Sequence, residues 1–224
     1  MPLSAAAETV RAITTKDRVA SVLRTAIVQG NFQPGERIVE LQLSKQLGVG
    51  ITSIREALYE LESEGFVTRV PNKGVYVTRL TAEDTRQIYE LRWDLEAAAA
   101  QRCARHLDTD AIEQLRVPLR AMREAALAGD RARFHIHDLE FHRLLWKLSG
   151  NRFLERALDF AVAPLFAFYI GQMNPDAAHL THSVEQHERI VDAIAAHDET
   201  GARRTVQAVL QDFQQAHERV PHEL

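Results

Sequence analysis

The residues with the most chemistry to offer in this chain are histidines and the carboxylates beside them. His135, His137, Asp138 and His142 fall in one short stretch, and His179, His182, His187 and His197 form a second. Asp138 and His142 are four apart, so on a helix they share one face and can point at a single ion. His135 lies on roughly the same side, and His137 does not. The same spacing also suits a plain Asp–His contact on a helix surface, and the residues alone leave both readings open.

Helices must position these groups. From Thr81 onward there is no strand signal, only amphipathic segments with short breaks, which predict helices at about 82–105, 108–128, 130–149, 151–170, 181–197 and 199–219. Asp108, Asp130, Gly150-Asn151 and the segment from Gly171 to Ala177 punctuate them. Pro118 and Pro164 sit inside helical patterns, where each is expected to kink or break its helix. A kinked bundle opens space between helices, a common place for a ligand site. The aromatics Phe134, Phe141, Trp146, Phe153, Phe160, Phe166, Phe168 and Tyr169 recur at helical spacing and read as core or dimer-interface residues.

The chain as a whole bounds what this bundle serves. Its 224 residues leave room for two domains, and 46% hydrophobic with 26% charged residues is a globular balance. A lone cysteine, Cys103, excludes an internal disulfide and suits a reducing, cytoplasmic setting. No stretch approaches roughly 18 uninterrupted apolar residues, so no membrane span is expected. The net charge of −4 hides an asymmetry. Residues 1–80 carry ten Lys/Arg against eight Asp/Glu, whereas residues 81–224 carry seventeen against twenty-three and hold all ten histidines.

In the less acidic part, Thr15 can cap a helix with the apolar face Val19, Leu23, Ala26 and Ile27, stopping near Gly30. A turn-rich run from Gly30 to Glu36 follows, then a short helix through Leu41, Leu43, Ser44 and Leu47, closed by Gly48. The next helix carries Ile54, Ala57, Leu58 and Leu61 on one stripe. Ser53 and Glu56 stand at capping-box spacing, and Gly65 occupies the left-handed terminal position. Two short helices joined by a tight glycine turn make a helix-turn-helix pattern. Residues 66–70 and 75–78 then read as two strands around the turn Pro71–Gly74. At the tip of this hairpin, Lys73 stands beside Gly74, a glycine that lets backbone approach a phosphate; a solvated hairpin lysine is the plainer alternative.

The run AIVQGNFQPGERIVELQLSKQLGV, with REALYELESEGFV and PNKGVYV, resembles the winged helix-turn-helix domain of the GntR superfamily of transcription regulators, over about residues 13–79. The resemblance implies a recognition helix from about Thr52 to Glu64. Thr52, Ser53 and Arg55 would stand at its major-groove end, with Lys73 and Gly74 on the wing. Where the family usually places a small hydroxyl residue and an arginine before the threonine, this chain has Gly50 and Ile51. Either its operator differs or its affinity leans on backbone contacts.

The segments LRWDLEAAAAQRCA, DLEFHRLLWKLSGNRFL and EQHERIVDAIAAHDETGA resemble the FCD ligand-binding domain of the FadR subfamily. The full expectation is a mainly α protein. An arm over 1–12 precedes a winged helix-turn-helix domain of three helices and a β-hairpin over 13–79. An all-α effector-binding and dimerisation bundle follows over 80–219, with a tail over 220–224.

The resemblance further implies a divalent metal, such as zinc or nickel, on Asp138, His142 and His187. A fourth position falls on Val209, which cannot coordinate, leaving Asp212 or His182 as substitutes. It places Arg92 near the pocket, where a guanidinium suits a small carboxylate effector. Arg92 could equally pair with Glu96 four residues on. The function implied is a homodimeric, cytoplasmic regulator, a repressor by preference, on a palindromic double-stranded operator. A metal-responsive regulator, or a hydrolase using the Asp/His cluster, are the alternatives. Glu140, projecting from a different helix face, is a poor general base for the hydrolase.

Overall fold

The computed structural model describes residues 14–172 and 177–218, without side chains at 132, 167–172, 177 and 215–218. The expected arm over 1–12, the tail over 220–224 and the side chains of Phe168 and Tyr169 lie outside the described residues.

The first helix, α1 (Thr15–Val28), is capped one residue earlier than expected. Thr14 accepts from the Asp17 amide, and the Asp17 side chain accepts from the Thr14 amide, a reciprocal pair that Thr15 could not form. Its buried face, Val19, Leu23 and Ile27, packs on α3 (Ile51–Ser63), which buries Ile54, Ala57, Leu58 and Leu61 completely. Between them α2 (Glu40–Leu47) ends at Gly48 in the left-handed conformation, φ 64°. The expected Ser53–Glu56 capping box does not form. Helix α3 starts earlier, at Ile51, so Ser53 lies inside its first turn, and Gly50 leads in with no side-chain cap.

The sheet has a strand that the sequence does not announce. Besides β2 (Val67–Val70) and β3 (Gly74–Val77), residues Arg37–Ile38 form β1, giving the antiparallel order β1-β3-β2. Arg37 pairs with Tyr76 and Ile38 with Val75. Two residues are too few to show the alternation that marks a strand.

The rest is helical among the described residues: α4 (Ala82–His106), α5 (Thr109–Leu127), α6 (Arg131–Leu148), α7 (Arg152–Gln172), α8 (Ala177–Ala195) and α9 (Glu199–Glu218). Helix α8 begins ahead of the expected residue 181. Helix α4 opens with a Thr81–Asp84 capping box and packs on α6, α7, α8 and α9, so it forms the middle of the bundle. Neither Pro118 nor Pro164 interrupts its helix. Phe134, Phe141, Trp146 and Phe166 are buried, whereas Phe153 and Phe160 are exposed.

One buried apolar cluster runs through both halves of the chain. The join is close at Gly65 (φ 79°), where a Cβ would stand 2.4 Å from Pro164 Cγ and 2.9 Å from the Phe160 carbonyl oxygen. Pro164 has no N–H to give the carbonyl four residues before it, which is that of Phe160. The bare backbone of Gly65 therefore packs against the point where α7 lacks a helical hydrogen bond. Among the described residues no helix is long and apolar enough to cross a membrane.

Candidate functional site

Two groups of residues need an account, one on the surface of the first three helices and one inside the bundle. On the surface, Thr52 and Arg55 are exposed and Ser53 half-buried at the start of α3. Whereas α1 and α4 are sealed by threonine–aspartate boxes, α3 has neither a side-chain cap nor an acidic residue in its first turn. Its leading amides are open to an anion. Arg55 Nε donates to Glu40 Oε2 at 2.7 Å. The other oxygen of Glu40 lies 3.8 Å from Arg69, whose guanidinium stacks over Tyr59 at 4.3 Å. Glu40 thus lies between two guanidiniums along the flank of α3, and Arg69 also faces Glu62 at 3.4 Å.

Lys73 is exposed at the hairpin tip. Next to it Gly74 adopts φ 117°, and a Cβ there would meet Arg37 Nε at 3.2 Å. Sequence reasoning missed Arg37 because the strand that brings it to the wing is so short.

Inside the bundle, α4, α6 and α8 bring Arg92, Glu96, Asp138, His142 and His187 together, all buried. His187 Nε2 lies 3.0 Å and His142 Nε2 3.6 Å from Asp138 Oδ1, and the two nitrogens are 3.2 Å apart. Asp138 Oδ1 nevertheless receives no well-directed N–H from either ring. The three donor atoms converge as ligands around a shared cation would.

The far side of each ring supports this reading. His187 Nδ1 lies 2.7 Å from the Ser183 carbonyl oxygen and donates to it. His142 Nδ1 faces Glu96 Oε2 at 3.0 Å. Outer partners of this kind fix the tautomer and leave Nε2 free to coordinate. The residues therefore fit a divalent metal with three protein ligands and open positions.

The charges are mutually dependent. Burial pushes the Glu96 carboxyl up, but the Arg92 charge and His142 outweigh it and hold it at about 2. Asp138 is likewise raised by burial and brought down to about 2 by His187 and His142. Burial lowers His187, yet Asp138 more than compensates and raises it above the ordinary histidine range.

Arg92 makes the expected pair with Glu96 and also reaches the cluster. Its Nε donates to Glu96 Oε1 at 2.7 Å, while Nη2 stands 3.5 Å from His142 Nε2. Arg92 lines a cavity of about 60 Å³ with the three ligand candidates, and Tyr89, Phe134, Leu165, Phe166, Leu180 and Phe213 supply apolar walls. That is space for a few waters or a small organic acid. Val209 is buried and is not on this wall, where α9 presents Phe213 instead. Neither substitute ligand arrives. His182 Nε2 lies 3.1 Å from Asp212 Oδ2, and both are about half exposed, away from the cluster. Glu96 as the carboxylate behind His142 had no signal in the sequence, since the two are 46 positions apart.

Residues 15–77 match the model of bacterial regulatory proteins of the gntR family, and residues 87–212 match the FCD domain. The chain is 32% identical to the HTH-type transcriptional regulator YdhC of Bacillus subtilis, over 83% of each chain. The chain belongs to the GntR family. It is also 32% identical to the "Probable D-xylose utilization operon transcriptional repressor" of Paenarthrobacter nicotinovorans, over 82% of each. The solved structure of Escherichia coli McbR/YncC superposes with a TM-score of 0.76 at 22% identity, covering 92% of this chain and 99% of that one, a likeness of fold.

As a GntR-family member with an FCD domain, the protein is a DNA-binding transcription regulator, and the hydrolase reading of the cluster finds no support among these relatives. For the regulator's cluster, losing an outer partner typically costs a metal site about 10–100-fold in affinity. Losing the His187 ring itself should cost more than about 100-fold. His187→Ala is expected to show this in competition with a chromophoric zinc chelator. Unchanged zinc affinity would place the ion elsewhere.

Proposed function

We propose that this regulator is a homodimeric repressor whose hold on a palindromic operator is controlled by a small carboxylate bound in the bundle cavity beside a divalent metal such as zinc or nickel. The observation that carries this reading is the buried Arg92 guanidinium facing the Asp138–His142–His187 cluster in one small, apolar-walled cavity. A guanidinium and a metal with open positions are complementary to the two oxygens of a carboxylate. Thr52, Ser53, Arg55, Lys73 and Gly74 form the DNA-facing set, with Arg55 as the base or phosphate contact. A homodimer, as the family resemblance implies, presents the same helix to each half-site and so calls for a palindromic operator.

Helix α7 gives the two sites a common element. Leu165 and Phe166 wall the cavity, Phe166 lies 5.5 Å from the His142 ring, and Pro164 presses on Gly65 just beyond α3. A ligand that binds the DNA-released arrangement more tightly would draw the recognition helices out of register with successive grooves.

The test is a mobility shift at fixed salt, using DNA from upstream of the regulator's own gene and a panel of small carboxylic acids, with and without zinc or nickel. A specific shift that one acid reverses is the expected result. Arg55→Ala should weaken it roughly 5- to 150-fold, the equivalent of about 1–3 kcal/mol. Reversal by metal alone would make the ion the effector, and absence of any specific shift would defeat the reading.

A further inference from the structure

The cavity wall carries one nitrogen that the arrangement above does not use. His135 lies on α6 one turn before Asp138 and lines the cavity. Its Nδ1 faces Asp138 Oδ2 at 3.9 Å, the oxygen turned away from the cluster. Its Nε2 is buried with no hydrogen-bond partner. Two other buried atoms on or beside this wall also lack a well-directed hydrogen bond, Asp138 Oδ1 and His142 Nδ1, but each stands 3.0 Å from a charged group. Among the described residues no carboxylate takes that place at His135 Nε2; the charged groups that act on this ring besides Asp138 are His179 and Arg131.

With its proton on Nδ1, toward the carboxylate, the ring presents Nε2 as an acceptor. A buried acceptor left without a donor is costly, and native structures usually reserve such atoms for something. The Asp138 carboxylate spans the two places, with one oxygen among the ligand candidates and the other toward His135. A ligand whose carboxylate sits at Arg92 and the cluster would thus need its donor within two or three bonds of the carboxyl carbon.

We propose that His135 is a specificity-determining residue of this cavity, accepting a hydrogen bond from a hydroxyl near the ligand's carboxylate, so that the effector is a short hydroxycarboxylic acid. This rests on the carboxylate reading given above. A site built to pair with a hydroxyl discriminates against the analogue that lacks it, because its own group is then left unpaired. Apolar side chains make up most of the remaining wall, which suits a short hydrocarbon stem, and His179 and Ser183 are its other polar members.

Calorimetric titration of the full-length, zinc-loaded protein at pH 8, where an ordinary imidazole is uncharged, tests it with two matched pairs. These are lactate against propionate, and 3-hydroxybutyrate against butyrate. At least one hydroxy acid should bind about 10-fold more tightly than its partner. His135→Phe removes the acceptor and should abolish that preference, read as the ratio of affinities within each pair. His135→Gln, whose amide oxygen can accept, should restore part of the preference. Equal affinities within both pairs in the unaltered protein, or a preference that survives His135→Phe, would overturn the role of His135 alone. Failure of all four acids to bind would overturn the carboxylate reading and this inference with it.

Discussion

Glu96→Ala should destabilise the regulator by about 3–5 kcal/mol, because it strands the Arg92 guanidinium in the middle of the bundle. Arg92 is 3% and Glu96 1% exposed, so bulk solvent does not reach the charge, and the cavity that Arg92 lines has space for only a few waters. In a chain of this size such a loss lowers the melting temperature by on the order of 10 °C. Replacing both partners, Arg92→Met with Glu96→Leu, should recover much of it, since an apolar pair of similar volume often does as well as a buried ion pair.

The acid limb carries the same signature. The folded-state Glu96 carboxyl sits at about 2, below its ordinary 4.5. Its contribution to stability is therefore fully present above about pH 4.5 and is lost as the pH falls towards 2. Asp138, also at about 2, adds to this slope in the same direction. Denaturant melts between pH 2 and 6 should show a shallower decline in Glu96→Gln than in the unaltered protein. A Glu96→Ala protein within about 1 kcal/mol of the parent would mean that water reaches Arg92.

Gly65→Ala should be the most damaging single methyl group in the first eighty residues. The left-handed φ of 79° costs a non-glycine residue about 1–2 kcal/mol. Its Cβ would also stand 2.4 Å from Pro164 Cγ, so either Gly65 or α7 must move. Gly65 is tied to the wing by the Thr78 hydroxyl, which donates to its carbonyl at 2.6 Å, and to α3 through its amide on Glu62. Movement there shifts recognition helix and wing together. Gly129→Ala is the control, because Gly129 has a similar φ of 67° and open space around it. Both variants should lose stability, but only Gly65→Ala should also lose operator affinity by mobility shift. Equal effects on DNA binding from the two would remove the special role of the Gly65–Pro164 contact.

The sequence revealed most where a physical rule repeats over several turns. The long helices of the bundle follow from their apolar stripes, and α2 stops where Gly48 turns left-handed, as its position suggests. Boundaries decided by one hydrogen bond were harder to read. Thr14 rather than Thr15 caps α1 because only Thr14 has an aspartate three residues on, and α3 begins at Ile51 although its N-cap, Gly50, has no side chain to bond the first amides. Asp138 and His142 could be placed on one face from spacing alone, but His187 entered through family resemblance. Glu96 behind His142, Phe213 in place of a ligand on α9, and the diversion of His182 to Asp212 depend on how separate helices are turned against each other. Periodicity says which face is buried and not which residue it meets.

The uncapped start of α3 bears on the thermodynamics of operator choice. A helix end with no side chain holding its amides is the end that frays, and here it carries Thr52 and Ser53. Ordering that turn on DNA would draw down conformational entropy, an expense deferred until contact is made. Complexes with different half-sites could then differ more in enthalpy and entropy than in free energy, since a half-site offering better phosphate contacts also orders the turn more completely.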